Sequence, residues 1–278
     1  MLSRFDLWPA MLTVGALAAL VSGRERLGGG VLGVAIAVKV YPAVLVPLGL
    51  AYVWRRSGRR EALLWLGIVA AVVVAIFLPF LVIAPGGVWD SVVRQTTRPL
   101  QIESLGSSLL LAAHQALGVS ITMRSGHGSQ NLAGTAPDVL AMVQTVLQIG
   151  ALLAIWIWFV RGPAHKDRLL RAAAAAVCAF LALGKVLSPQ FLIWLIPLVP
   201  LVRGRRGLAA GALLALAMVL TQLWFPYRYW RLALDFEALS SWLVLLRDLS
   251  LVALLLLLVW PSAGGRFTRP EALREKRD

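Results

Sequence analysis

The sequence predicts an all-α, polytopic transmembrane helical bundle. Three observations predict it. The 278 residues are 59% hydrophobic and only 14% charged, with a mean hydropathy of +0.80. A soluble domain of this size cannot hide so much apolar surface. Apolar runs recur from one end of the chain to the other, as membrane helices require. Basic residues gather in groups between those runs, as in loops held on the cytoplasmic side. The net charge of +14 is read by the same rule, not as a nucleic-acid surface. The expectation is an integral, multi-pass plasma-membrane protein with one transmembrane domain over 1–260. A cytoplasmic basic tail follows at 261–278.

The elements follow in order. Apolar segments are predicted at 7–22, 28–53, 62–83, 138–160, 171–187, 191–202, 207–226 and 240–260. The second is interrupted at "KVYP", where Pro42 disfavours helical geometry at Tyr41. Arg24 and Arg26 precede this segment and Arg55 and Arg56 follow it. Both groups reach the same side if 28–53 bends back at Lys39–Pro42, so a re-entrant hairpin is expected. Further basic groups stand at Arg161–Arg171, at Arg203–Arg206 and in the tail. With all of them in the cytoplasm, the polar stretch 84–137, the "KVLSPQ" corner and the "FPYRYWRLALDFEALS" loop fall on the outer side.

The stretch 84–137 is too long to be mere linkage, and such loops usually carry function. Within it Arg94 and Arg98 are four apart and share a face if the segment is helical. "ESLGSSLLLAAHQALG" suits a short interfacial helix, with Ser104 as its N-cap. Lys185 sits at the end of an apolar helix, just before Ser188-Pro189-Gln190. A lysine at bilayer depth costs ~2.5–3.5 kcal/mol, less if it snorkels. The alternative to a snorkelling lysine is an ammonium aimed at an anion in a cavity, and Lys39 repeats the pattern. Lysines and arginines bordering an outer cavity suit a lipid phosphate. If that phosphate leaves, the same cations stabilise the charge that develops on it. An acceptor hydroxyl would then need a carboxylate base. Arg247-Asp248 interrupts the last helix and reads as a structural pair, with either member free to reach another helix. Trp and Tyr residues near the outer boundary read mostly as belt residues, with a minority available to stack on a sugar ring. His114, His127 and His165 are scattered, so no metal site and no cofactor are expected.

"RFDLWPAMLTVGALAAL", "VAIAVKVYPAVLVPLGL", "RQTTRPLQIESLGSSLL" and "GKVLSPQFLIWLIPLVPL" together resemble glycosyltransferase family 87. These are polyprenol-phosphate-mannose-dependent mannosyltransferases of the GT-C superfamily, frequent in actinobacteria. The resemblance covers most of residues 1–260. It implies a membrane hexosyltransferase that works on the outer face. Such an enzyme moves a hexose, usually mannose, from a polyprenyl phosphate to a glycolipid or glycan, without a metal. By motif, Lys39 and Tyr41 match the family's K-x-Y-P corner. Arg98, Glu103 and Ser104 match its R-P-L-Q-I-E-S loop, and Lys185, Ser188 and Gln190 match its K-x-L-S-P-Q corner. The basic members, with Arg94 beside them, are expected on donor phosphate, and Glu103 and Gln190 on sugar or acceptor.

The family's base aspartate lies in an outer loop after a first helix. This chain opens at "MLSRFDLWPA", which is similar to the middle of such a protein. The expectation is a chain lacking the family's N-terminal part, so no catalytic residue is assigned. Asp6 and Glu103 are the two carboxylate candidates. The alternative is a non-catalytic or truncated membrane subunit that binds a polyprenyl-phosphate lipid. A transporter or flippase ranks behind it, since no internal repeat of the kind transporters carry is visible.

Overall fold

The computed structural model describes residues 6–260, and the basic tail at 261–278 lies outside the described residues. Helices α1 (Leu7–Val21) and α2 (Glu25–Val38) form a first antiparallel pair, closed by a tight turn at Gly23. At Lys39 the backbone becomes extended, and a 3₁₀ turn, Tyr41–Leu45, redirects the chain into α3 (Val46–Ile83). A straight helix of that length would run ~57 Å at 1.5 Å per residue, nearly twice a bilayer core. It is instead two arms joined at Gly58, whose φ of 86° only glycine adopts readily.

The hairpin over 28–53 is visible in contacts at its ends. Arg26 pairs with Glu61 at 3.0 Å, and Ser57 donates to Glu25 at 2.6 Å. Residues on either side of the Lys39–Pro42 corner thus return to one end. Trp65, fully buried, is the wedge between the arms. It lies against Gly29 of α2 and Gly49 of the first arm of α3. A Cβ on Gly49 would stand 2.6 Å from the Trp65 ring. Gly49→Ala is therefore expected to destabilise the protein by ~1–3 kcal/mol through overpacking, read as a lowered Tm in detergent.

Next come α4 (Pro85–Thr96), α5 (Leu105–Leu117), and a hairpin of β1 (Thr122–Gly126) and β2 (Ser129–Ala133). This small sheet is absent from the sequence-based expectation. Its two-residue loop, His127-Gly128, has φ of 56° and 72°, the positive values that a type I′ hairpin turn needs. Helix α5 is not a purely interfacial helix. Its Gly106, Ser107, Ser108 and Leu111 are buried, and it packs on α10.

Helices α6 (Thr135–Arg161) and α7 (Lys166–Ala182) then run antiparallel. The alanine-rich α7 is the centre of the bundle, with residues Ala172–Ala179 all fully buried. Small side chains let neighbouring backbones approach closely. The segment expected at 191–202 is not an α-helix. It descends as 3₁₀ turns, Pro189–Trp194 and Val199–Leu201. Pro189, Pro197 and Pro200 remove the donors an α-helix would use. At ~2.0 Å per residue, thirteen such residues cover ~26 Å, matching the ~25 Å of α7. The chain thereby reaches Arg203, which pairs with Asp167 at 3.7 Å, back at the start of α7. Finally α8 (Gly204–Trp224), α9 (Tyr229–Asp235) and α10 (Ala238–Val259) complete the fold. Among the described residues, four helices, within Tyr41–Ile83, Thr135–Arg161, Gly204–Trp224 and Ala238–Val259, are long and apolar enough to cross a membrane.

Candidate active site

Helix α4 stops at Thr96 because Pro99 pushes Arg98 out of helical geometry. This corrects the shared helical face expected for Arg94 and Arg98. Arg94 is exposed on α4, whereas Arg98 turns inward and is half-buried. The next residues run extended between two supports. Ile102 N donates to Gln130 O at 3.0 Å, and Leu132 N donates to Leu100 O at 3.0 Å, tying the segment to β2. On the other flank Gln101 N donates to Lys185 O at 2.9 Å. Side chains along an extended segment alternate between faces. Leu100 and Ile102 enter the core, while Gln101 and Glu103 face a cavity.

That cavity has a volume of about 400 Å³. Its polar lining includes Arg98, Gln101, Glu103, Ser129, Ser188 and Gln190. Its aromatic wall is Phe191, Phe225, Tyr229 and Trp230, and His127 and Gly128 of the hairpin loop close one side. Arg98 donates to Ser129 Oγ at 3.0 Å, and its buried Nε has no acceptor. Lys185 Nζ donates to the Thr96 carbonyl at 2.9 Å. Neither cation makes an ion pair among the described residues. Burial lowers the pKa of Arg98. Burial, and then repulsion from Arg98, lowers that of Lys185. Two adjacent cations without a carboxylate partner make a place where an anion is stabilised.

Glu103 is buried at 2% exposure and accepts from Gln101 Nε2 at 2.5 Å. Its backbone is held from below. Arg247 NH2 donates to Glu103 O at 2.7 Å, while Arg247 Nε lies 2.7 Å from Asp248 Oδ1. Both members of this pair are fully sheltered. The two readings offered for Arg247-Asp248 thus hold together: the pair neutralises itself and also reaches another element.

Lys185 and Arg94 are not in the cavity lining, and the remaining expected site residues, Asp6, Lys39, Tyr41 and Ser104, also lie outside it. Asp6 is 2% exposed, accepts from Trp194 Nε1 at 2.9 Å and is paired with Lys39. Tyr41 stacks on Trp194 with centroids 4.0 Å apart, and Phe191 stacks on the same ring at 4.4 Å. Lys39 Nζ stands 5.1 Å from the Phe191 centroid, so the K-x-Y-P corner sits behind one ring of the cavity wall. The Tyr41 hydroxyl meets Thr13 Oγ1 at 3.0 Å. Ser104 is buried at the start of α5, 3.5 Å from Gln144 Oε1, and makes no side-chain cap bond.

Sequence reasoning does not single out Gln101, His127 or Ser129 as site residues. For Gln101 the alternation over 98–103 was the available signal. Of the aromatics that the sequence divides between a belt and a sugar-stacking minority, Tyr229 and Trp230 line the cavity. Among the described residues, no group of three or more His, Cys, Asp or Glu side chains is arranged to hold a metal ion.

No curated protein and no solved structure matches this chain. The model of one family does: glycosyltransferase family 87 matches residues 1–189. The match takes in the Lys39 corner, Arg98, Gln101, Glu103 and Lys185, and ends at Pro189, beside Gln190. With well over half of the 278 residues matched, and four helices fit to cross a bilayer, the chain belongs to glycosyltransferase family 87, as a helical membrane protein.

Proposed function

We propose that the protein transfers a hexose, mannose first among candidates, from a polyprenyl phosphate to a glycolipid or glycan at the outer face of the plasma membrane. One observation carries this reading. Arg98, with no described carboxylate partner, lines a cavity that also receives the Glu103 side chain, and Lys185 lies next to Arg98 just outside that lining. The sugar C1–phosphate oxygen bond breaks, and a bond forms between C1 and the acceptor oxygen. The acceptor proton passes to the Glu103 carboxylate. The bonding pair leaves with the polyprenyl phosphate, whose added charge Arg98 and Lys185 stabilise. The hexose lies against the Phe191, Tyr229 and Trp230 wall. Asp6, already held by Lys39 and Trp194, takes no part. The basic groups gather at the opposite end of the bundle, and the positive-inside rule then turns the cavity outward.

The test is transfer of labelled mannose from a polyprenyl phosphate by the purified protein in liposomes. Product that requires the lipid-phosphate donor supports the reading, and its absence with every polyprenyl-phosphate hexose tried overturns it. In the same assay Arg98→Ala should raise the donor KM by about tenfold to a hundredfold, the loss of a charge-assisted hydrogen bond. The Lys185 ammonium, with its lowered pKa, should lose its charge at lower pH than an ordinary lysine. Its help in holding the donor is present below that pKa and fades as pH rises through it. Donor KM should therefore climb on the alkaline side in the wild type but not in Lys185→Ala.

A further inference from the structure

We infer that the basic end of the bundle carries a binding site for an anionic phospholipid, separate from the transfer cavity. The site lies where α6 ends and α7 begins. A hollow of about 610 Å³ is lined there by Ala154, Ile157, Trp158, Arg161, Gly162 and Arg168. Its floor is positive. Arg168 donates to the Trp158 carbonyl and stacks its guanidinium 4.4 Å from the Trp158 ring centroid. Arg55 donates to the carbonyls of Val160 and Gly162.

No described carboxylate pairs with Arg55, Arg161 or Arg168, because the neighbouring Asp167 is taken by Arg203. Arg168 Nε is buried without an acceptor. Arg55 and Arg168 are held on backbone carbonyls, and Arg161 stays exposed beside them. A Cβ on Gly162 would fall 1.6 Å from an Arg168 nitrogen, so the guanidinium occupies the space that the glycine leaves.

The hollow opens onto an apolar stripe. Val146, Ile149, Leu153, Ile157 and Val160 are 64%, 52%, 46%, 47% and 45% exposed, at spacings that share one face of α6. From 146 to 160 the stripe is ~21 Å long, enough for the ~15 Å of hydrocarbon in one leaflet. A phosphate headgroup on the arginine floor would lay its acyl chains along this stripe. A soluble anion would use the floor and leave the stripe idle. Arginine's bidentate geometry suits a phosphodiester, and a juxtamembrane cation is worth enough near an anionic lipid to give selectivity.

The purified full chain is examined by native mass spectrometry with phosphatidylglycerol and, separately, phosphatidylcholine, each with and without excess inorganic phosphate. The wild type is expected to retain phosphatidylglycerol about tenfold more strongly. Inorganic phosphate should not displace it. Arg161→Ala with Arg168→Ala should remove this preference. Arg161→Ala alone should weaken it about fivefold, and Arg161 makes no described hydrogen bond or ion pair that folding could depend on. Equal retention of the two lipids, or full preference in the single variant, overturns the proposal. Displacement by inorganic phosphate also overturns it, assigning the floor to soluble anions. Mannose transfer is not read in this experiment, so failure of either proposal leaves the other standing.

Discussion

Glu103→Gln is expected to lower the rate of sugar transfer by ~10²–10⁴-fold, the usual contribution of a positioned general base. The change keeps the shape of the side chain and can still accept from Gln101, so the turn over 101–104 should hold. Donor KM should move little, because the proposed reaction places the phosphate on Arg98 and Lys185 rather than on Glu103. This split between kcat and KM is the decisive readout. A variant that transfers at the wild-type rate would remove Glu103 from the chemistry. A variant with unchanged kcat and a raised KM would make it a sugar contact instead. Asp6→Asn serves as the contrast. It breaks the pairing with Lys39 in a packed corner, so its expected cost is in stability, read as Tm, more than in rate.

Arg247→Met should lower stability by ~3–5 kcal/mol, the scale found when one partner of a buried ion pair is removed. The reason is burial: Arg247 is 0% and Asp248 1% exposed. Removing the guanidinium leaves the Asp248 carboxylate enclosed by helices. It also frees the Glu103 carbonyl that Arg247 holds at 2.7 Å. The double variant Arg247→Met, Asp248→Leu removes both charges and should recover most of the lost stability. It should not recover transfer, because the turn that presents Glu103 would still lack its anchor. Thermal unfolding and transfer assays on the three proteins separate these effects. Parallel recovery of both would show that Arg247 supports the fold without positioning Glu103.

Several features were legible in the residues because their causes are local. Pro42 breaks the helix at the Lys39 corner wherever the chain is placed, and paired arginines on either side ask for a return to one face. Pro99 ends α4 for an equally local reason: the sequence places the stop soon after Arg98, and the structure places it at Thr96, two residues before Arg98. The 3₁₀ descent from Pro189 to Leu201 was also written in three prolines. It was masked by hydropathy, which does not tell one helical form from another. The β-hairpin was missed because its strands carry little apolar alternation, and its signal lies in the His127-Gly128 loop.

Composition and charge grouping by themselves determined the class of protein, a helical membrane protein, and the grouping of its basic loops. These depend on the free energy of moving each side chain into lipid, a property of the residue itself. Only the tertiary structure decided which charges are already answered. Lys39 and Lys185 stand in similar corners, yet Lys39 meets Asp6 while Lys185 lies beside Arg98 with no carboxylate partner among the described residues. That difference comes from contacts between residues 33 and 87 positions apart, and no local pattern of hydropathy encodes it.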